Sequence, residues 1–240
     1  MTRPVDLNVD LGELPDEPRE LYAVATVVNV ACGGHAGDKA SMALAVSNAM
    51  ARGARVSAHP SYPDREGFGR ASMDLAPAAI AASVEAQCAA LQAIARRVGY
   101  PVTAVKPHGA LYHDAHRSAD IARAVLDGVR AGLGSDGGEA LTVVGPAGGA
   151  LEAECEARGV LYAREGFADR AYGPDGSLVP RGQPGALLTD AWVAARQAVA
   201  LASTGRIETV CVHGDTPRAL GIAIAVREAL VSAGLLAGVA

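Results

Sequence analysis

The chain has 240 residues, of which 50% are hydrophobic, so it is long enough for one large core and too short for two full domains. We therefore expect a single domain over residues 1–240. A formal net charge of −5, with no block of Lys or Arg, argues against the basic surface that binding to nucleic acid or to an acidic membrane requires.

The N-terminal residues lead directly into a predicted strand, without the apolar core of a signal peptide. No apolar span of about 18 residues predicts a membrane helix. These observations predict a cytoplasmic protein. The four cysteines are scattered and form no CxxC motif, which favours buried thiols over disulfides or a zinc site.

The first predicted strand, residues 5–11, alternates between polar and apolar side chains. Because successive side chains of a strand point to opposite faces, Asn8 and Asp10 share one face. In a closed sheet that face lies inside the barrel, and the apolar face packs under a layer of helices. In a half-exposed strand the same polar face would meet water.

The second predicted strand is the β-branched run that begins at Val27. It leads into a turn rich in glycine, whose backbone freedom allows His35 to lie close to a ligand or to another loop. Asp38 follows immediately before a predicted helix. Capping of that helix and a direct functional role are both open for Asp38.

The remaining predicted elements alternate along the chain. Strands are predicted at residues 55–59, 102–105, 141–145, from 160, and at 209–212, and helices at 39–52, 77–98, 118–133, up to 158, at 190–204 and from 216. Pro77 fits the first helical position and Ser118 an N-cap, while Thr216 and Pro217 are predicted to cap and begin the last helix. The segment 172–183, rich in Gly and Pro, predicts an excursion or lid.

Seven strands alternating with helices, about 34 residues per unit, predict a parallel sheet. The regular unit favours a closed, seven-stranded parallel β/α barrel over an open sheet, with loops 59–73 and 169–185 over its C-terminal face. In such barrels the C-terminal ends of the strands carry the active site. At or just beyond these ends lie Asp10, His35, His59, Lys106, His108, Asp169, His213 and Asp215.

Four histidines on different predicted loops, together with a carboxylate, would suit a divalent metal such as Zn, Mn or Fe. The candidates for such a metal site are Asp10, His35, His59 and His213, with His108 and Asp215 nearby. The chain has no HExxH or other short ligand spacing. The alternative is that these histidines serve as hydrogen-bond donors and as general acids or bases.

Lys106 and His108 lie two residues apart across Pro107 and so point to the same side. A buried Lys106 without an acidic partner would be costly, which favours a carboxylate or an anionic ligand beside it. Asp215 is expected to be free for a functional role, because Thr216 and Pro217 already offer a helix cap.

Four arginines lie in the two loops rich in Gly and Pro: Arg65, Arg70, Arg170 and Arg181. Guanidinium groups bind carboxylates and phosphates at two points. For any single arginine, the alternative is an ion pair within the loop, to Asp64, Glu66 or Asp169. The chain contains no GxxxxGK[ST] P-loop, no GxGxxG between a strand and a helix, and no GxSxG motif.

Six ordered blocks together resemble the LamB/YcsF family. They are DLNVDLGE from Asp6, NVACGGHAGD from Asn29, residues 58–70, KPHG from Lys106, FADR from Phe167 with DGSLVPR from Asp175, and VHGD from Val212. The resemblance runs from Val5 almost to the C-terminus. It implies a barrel similar to the glycoside hydrolase and deacetylase barrels. It also implies ATP-dependent opening of 5-oxoproline to L-glutamate, by a 5-oxoprolinase complex in which such a chain works with two others, subunits B and C.

Under that resemblance, the residues above receive hypothetical roles. ATP, with Mg as its counter-ion, would phosphorylate the lactam oxygen, and Asp10 or Asp215 would act as the base for water. His35, His59 and His213, with His108, would surround the carbonyl or a metal, and Lys106 would stabilise the phosphorylated oxygen. The candidates for binding substrate or phosphate are Asn8, Glu13, Arg65, Arg70, Asp169, Arg170 and Arg181.

Two other functions stay open from the sequence. A metal-dependent deacetylase or amidohydrolase would use the same Asp and His residues without ATP. A non-catalytic barrel would bind the lactam and present it to subunits B and C. Because the P-loop is missing, the ATP site could need a second chain of the complex, and a homo-oligomer is equally open.

Overall fold

The computed structural model describes residues 3–134 and 141–238. Seven parallel strands close into a barrel in chain order, and the first strand pairs with both the second and the last. The strands are β1 (Asp6–Leu11), β2 (Val27–Ala31), β3 (Arg55–His59), β4 (Val102–Val105), β5 (Thr142–Gly145), β6 (Leu161–Phe167) and β7 (Thr209–His213). This architecture confirms the closed β/α barrel that the alternation of elements predicts.

The helices surround the barrel. They are α1 (Leu21–Val24), α2 (Lys39–Arg52), α3 (Pro77–Arg97), α4 (Gly109–Arg117), α5 (Ala119–Leu133), α6 (Ala150–Arg158), α7 (Ala191–Ser203) and α8 (Ala219–Ser232). The sequence pattern does not predict α1 or α4, which are short and lie directly after polar loops.

Strand β1 shows why the barrel has a polar interior and an apolar outer shell. Leu7 and Val9 are fully buried in the apolar core. Asn8 and Asp10 point the other way, into the barrel, and are also buried. Their buried oxygens are hydrogen-bonded there, since Asn29 Nδ2 from β2 donates to both Asn8 Oδ1 and Asp10 Oδ1 at 2.7 Å. The prediction that the polar face of this strand lies inside a barrel is confirmed.

Two of the predicted helix caps are present. Asp38 Oδ1 accepts the backbone N–H groups of Ala40 and Ser41, both at 2.8 Å, so this exposed carboxylate caps α2. Ser118 Oγ accepts from the backbone N–H of Ile121 at 3.4 Å and caps α5. Of the two roles open for Asp38, the structure supports capping.

The predicted cap of the last helix is wrong. Helix α8 begins at Ala219, and its N-cap is Arg218 in a left-handed conformation. Thr216 does not cap this helix; its hydroxyl donates to Asp169 Oδ2 at 2.5 Å, which turns the side chain towards the loop after β6. The local capping pattern does not predict this contact with a carboxylate from the loop after β6.

Helix α3 meets the length and composition criteria of a membrane-spanning helix, with a mean hydropathy of 1.4, contrary to the expectation from the sequence. This is weak evidence for a membrane. Ile80, Val84 and Leu91 are buried in the core, as in a core helix, and α3 packs against α5. The two helices approach closely because Gly128 of α5 faces the backbone of α3, where a Cβ atom would overlap.

Candidate active site

A cavity of about 390 Å³ opens at the C-terminal ends of the strands. The segment after β3 and the segment after β6 both reach it, the latter folded back by an antiparallel bridge between Tyr172 and Leu178. The polar and aromatic residues lining the cavity are Asp10, His59, Arg70, Lys106, His108, Tyr112, His113, Arg117, Phe167, Arg170, Arg181 and His213. Strands far apart in the chain thus bring charged side chains to one hollow.

Lys106 is the central cation of the cavity floor. Its Nζ lies 2.9 Å from Asp10 Oδ1 and 3.0 Å from Glu165 Oε1, and donates to Cys211 Sγ at 3.0 Å. Burial by itself lowers the pKa of Lys106, but Asp10, Cys211 and Glu165 together raise it well above its ordinary value. The expectation that a buried Lys106 has a carboxylate partner is confirmed.

The same network keeps Asp10 ionised. Burial alone would raise the pKa of Asp10, whereas Lys106 and then His59 hold it well below its usual range. Asn8 does not line the cavity; its Nδ2 donates to Glu165 Oε1 at 2.9 Å and to Thr209 Oγ1 at 2.7 Å. Asn8 therefore orients Glu165, and a direct substrate contact for Asn8 does not fit this position.

Glu165 and Cys211 belong to this network but are not among the residues singled out from the sequence. Strand β6 continues to Phe167, and in β7 the residues Thr209, Cys211 and His213 alternate inward. The period-2 rule, applied to the full length of both strands, would have placed Glu165 and Cys211 inside the barrel.

His213 and Asp169 form a dyad at the cavity wall. His213 Nδ1 lies 2.9 Å from Asp169 Oδ1, and Asp169 Oδ2 accepts from Thr216 Oγ1 and from the backbone N–H of His213. Burial lowers the pKa of His213, but the charge and hydrogen bond of Asp169, together with the charge of Asp10, raise that pKa above its ordinary value. Since Asp169 occupies Nδ1, the Nε2 atom of this cavity-lining ring is the one left for acid–base chemistry. Asp169 itself does not line the cavity.

A second group gathers three histidines around Glu13. Glu13 Oε1 lies 2.9 Å from His35 Nε2, 3.3 Å from His108 Nδ1 and 3.7 Å from His59 Nε2. Burial lowers the pKa of His35 to about 3 and the pKa values of His59 and His108 well below their ordinary value. Burial and the charge of Asp10 raise the pKa of Glu13.

The metal candidates of the sequence fall into two adjoining groups. His35 and His59 join Glu13 and His108, with donor atoms within 4.8 Å of one another, and Asp10 and His213 join Cys211. The set Asp10, His35, His59 and His213 is therefore not one cluster. The groups meet where Asp10 Oδ2 lies 3.6 Å from His59 Nε2. Glu13 and His108 complete the first group because the loops after β1 and β4 turn towards the loop after β2.

Three of the four predicted arginines line the cavity, and the fourth, Arg65, connects two loops. Arg70 pairs with Asp215 Oδ2, and Arg181 pairs with Asp215 Oδ1 at 2.6 Å, so Asp215 is not free, contrary to the expectation. Arg170 lines the cavity and donates to the carbonyl of Val179 at 2.8 Å. Arg65 does not line the cavity.

The exposed Arg65 side chain donates to the carbonyl oxygens of Gly33 at 3.2 Å and Gly37 at 2.9 Å. Binding of substrate by Arg65 therefore does not fit the structure. Its partners are backbone carbonyls rather than the acidic side chains expected. Arg117 and His113, on α4, line the cavity and were not predicted, since the sequence pattern leaves this helix out.

Tyr62, Tyr112 and Tyr172 differ in position. Tyr112 lines the cavity. Tyr62 is buried and its hydroxyl donates to Asp114 Oδ2 at 3.0 Å, while the hydroxyl of Tyr172 accepts from the backbone N–H of Phe167 at 2.8 Å. Packing is thus the role of the last two.

Comparison with known proteins gives a consistent result. The profile of the LamB/YcsF family matches residues 5–238. The A subunit of 5-oxoprolinase from Nocardia farcinica is 44% identical over 97% of this chain and 98% of its own length. The protein of the same name from Methylococcus capsulatus is 42% identical over 98% of this chain and 95% of its own length.

Among solved structures, the lactam utilization protein from Thermus thermophilus superposes with a TM-score of 0.87 at 39% identity, over 97% of this chain and 98% of that one. A family 4 carbohydrate esterase from Streptomyces lividans, in complex with acetate, has a TM-score of 0.53 at 14% identity, covering 100% of this chain and 94% of that one. The second likeness shows a shared fold only.

Proposed function

The chain belongs to the LamB/YcsF family, and from this premise we propose that it acts in the hydrolysis of 5-oxoproline as the A subunit of an ATP-dependent 5-oxoprolinase. The relatives at 42–44% identity carry the name of that subunit, and the lactam utilization protein matches the whole barrel. The observation that carries the proposal is that one cavity is lined both by His213, whose ring Asp169 orients, and by several arginines.

The arginines suit an anionic substrate. Arg70 and Arg181 share the single carboxylate of Asp215, which leaves one positive charge in excess, so a substrate carboxylate can pair with one guanidinium while Asp215 keeps the other. Arg117 and Arg170 add positive charge to the same lining. We assign the carboxylate of 5-oxoproline, and the phosphoryl group transferred to its lactam oxygen, to this side of the cavity.

Opening an unstrained lactam needs activation, because amide resonance makes its carbonyl a poor electrophile. The lactam oxygen attacks the γ-phosphorus of ATP and releases ADP. Water then adds to the activated carbon, the ring C–N bond breaks, and the nitrogen takes up a proton. A second water hydrolyses the resulting acyl phosphate to glutamate and phosphate.

His213 is the general base that fits this chemistry best. Its pKa is raised above the ordinary histidine value, and Asp169 orients the ring. Asp10 is a weaker base because its pKa is lowered, and Asp215 is engaged by two arginines. Lys106 supplies positive charge beneath the reacting oxygen.

The sequence has no P-loop, so we assign the binding of ATP and its Mg counter-ion jointly to this chain and to subunits B and C. The test measures glutamate and phosphate formed from 5-oxoproline and ATP, with the chain alone and with subunits B and C added. We expect turnover in the complex and a loss of about 10²- to 10⁴-fold in kcat for His213→Gln. Arg123→Gln, an exposed change on α5, serves as the control with unchanged activity.

Two outcomes would favour the other functions. Release of acetate from N-acetylated sugars without ATP would support a deacetylase, whose barrel is shared at the level of the fold. Saturable binding of 5-oxoproline, with turnover by the complex unaffected in Asp10→Asn and His213→Gln, would support a lactam-binding subunit without a catalytic role.

A further inference from the structure

We propose that Glu13, His59 and His108 bind a divalent first-row transition metal ion at the edge of the cavity, with His35 orienting the carboxylate of Glu13. The site is separate from the Asp169–His213 dyad, and its existence does not depend on the lactam chemistry. Three protein ligands of the His₂Glu type leave one position for water or substrate.

The hydrogen bonds of two rings fix where their lone pairs point. His59 Nδ1 lies 2.7 Å from the carbonyl oxygen of Lys106, and His108 Nε2 lies 3.0 Å from the carbonyl oxygen of Phe68. A carbonyl oxygen only accepts, so both of these nitrogens carry the proton. The nitrogen that remains on each ring to donate a lone pair is therefore His59 Nε2 and His108 Nδ1.

These two lone pairs face each other at 3.0 Å, beside Glu13 Oε1. Such an arrangement is repulsive unless a proton or a metal ion lies between the nitrogens, and the third donor, Glu13 Oε1, favours the metal ion. Backbone carbonyls that hold the distal N–H of a histidine are the usual support of a metal-binding imidazole.

The spacing of the three donor atoms suits one ion. Metal–nitrogen bonds of about 2.0–2.1 Å in a tetrahedral site place ligand atoms about 3.3–3.4 Å apart. The separations are 3.0 Å between His59 Nε2 and His108 Nδ1, 3.3 Å from His108 Nδ1 to Glu13 Oε1, and 3.7 Å from His59 Nε2 to Glu13 Oε1. The two rings are also nearly perpendicular, at 89°, so one ion can lie in the plane of both.

His35 is excluded from the ligand set by its orientation. Its ring stacks on His108 with the centroids 3.6 Å apart and an interplanar angle of 2°. An ion in the plane of His108 would therefore lie far outside the plane of His35. His35 Nε2 instead lies 2.9 Å from Glu13 Oε1 and donates to that carboxylate, which makes His35 a positioning residue.

The backbone at Phe68 and Gly69 contacts the histidine rings of the cluster. Phe68, whose carbonyl accepts from His108, has a positive φ of 54°, which is unusual for a bulky residue. A Cβ atom on Gly69 would lie 3.0 Å from His35 Cβ and 3.2 Å from His108 Cδ2. The strained turn thus places a carbonyl at the distal nitrogen of His108 while leaving room for the stacked rings.

The test measures metal rather than turnover. The chain is purified without chelators and its metal content determined by mass spectrometry, and the stripped protein is then titrated with Co²⁺ and followed by visible absorption. We expect one ion per chain and the absorption bands of a tetrahedral nitrogen and oxygen site. Glu13→Gln, His59→Gln and His108→Gln should abolish binding, whereas His35→Gln should weaken it about 10- to 100-fold.

His113→Gln is the matched control, because His113 lines the same cavity but lies outside the cluster; it should bind metal like the wild type. Thermal melting of each variant shows whether it folds. A folded wild-type chain that holds no ion after purification and binds none on Co²⁺ titration overturns the proposal, whatever the variants do. Equal loss in His113→Gln and His59→Gln would also overturn it.

Discussion

Replacing Lys106 with methionine removes the cation that two buried carboxylates share. Lys106 Nζ lies 2.9 Å from Asp10 Oδ1 and 3.0 Å from Glu165 Oε1, and none of the three side chains is more than 3% exposed. Methionine has a similar length and no charge. Both carboxylates therefore stay buried without their cation.

The cost follows from the chemistry of buried ion pairs. Removing one partner of a buried pair destabilises a protein by about 3–5 kcal/mol, out of a total of about 5–15 kcal/mol for a typical domain. Because one unpaired carboxylate can take up a proton, we expect about 3–5 kcal/mol for Lys106→Met rather than twice that amount.

The pKa of Asp10 also determines the direction in which stability changes with pH. In the wild type, the lowered pKa of Asp10 contributes stability above the pKa of aspartate in the unfolded chain, and this stability is lost as pH falls through the folded-state pKa. In Lys106→Met the buried carboxylates hold protons more tightly in the folded state, so stability falls as pH rises. The difference in the free energy of unfolding between the wild type and Lys106→Met should therefore become smaller at acid pH.

Urea unfolding followed by circular dichroism at several pH values measures this difference. Arg123→Met is the matched control, since Arg123 also pairs with two carboxylates, Asp120 and Glu154, but is 46% exposed. It should cost about 0–1 kcal/mol. A loss below about 1 kcal/mol for Lys106→Met, or equal losses in both variants, would refute the reasoning from burial.

Three further predictions concern other parts of the chain. Asp169→Asn removes the main charge that raises the pKa of His213; Asp10 also raises this pKa and Lys106 lowers it. In this variant the acidic limb of the plot of kcat/KM against pH should therefore move to lower pH. If the limb does not move, His213 is not the base. A left-handed backbone conformation costs a residue with a Cβ atom about 1–2 kcal/mol. Gly37→Ala should destabilise the chain by more than this, because φ is 82° and the new Cβ would also lie 2.5 Å from the carbonyl oxygen of Ala31. Gly53→Ala, with φ of 70° and open space, should cost only that conformational part in the same urea assay. All four cysteines are buried, and burial raises the pKa of Cys32 to about 12, so thiol reagents should label the chain only after unfolding; rapid labelling of the native protein would contradict the burial.

Local periodicity predicted the fold well where strands are regular. The alternation in β1 correctly places Asn8 and Asp10 inside, because the period of a strand is set by covalent geometry. The cost of burying an ammonium group correctly predicts a carboxylate beside Lys106. Both inferences rest on short-range rules, and neither identifies the partner strand.

Contacts between distant loops were not predictable from those rules. Thr216 matches the local pattern of an N-cap, yet it does not cap α8, and its hydroxyl donates to Asp169 in the loop after the neighbouring strand β6. Asp215 is bound by arginines from two different loops, and the metal candidates separate into two groups because loop length and direction decide which histidines meet. These outcomes depend on the paths of loops through space, which one sequence does not encode in any local pattern.

The pairing of β1 with β7 has a consequence for how the protein folds during translation. Asn8 binds Thr209, and Lys106 binds Cys211, so the floor of the cavity is completed by residues that leave the ribosome long after β1. Until β7 arrives, β1 lacks one neighbour, and its backbone edge and buried polar groups are open to water and to other chains. Chaperone capture during translation should therefore be strongest just before the last strand emerges, and should end once the ring has closed.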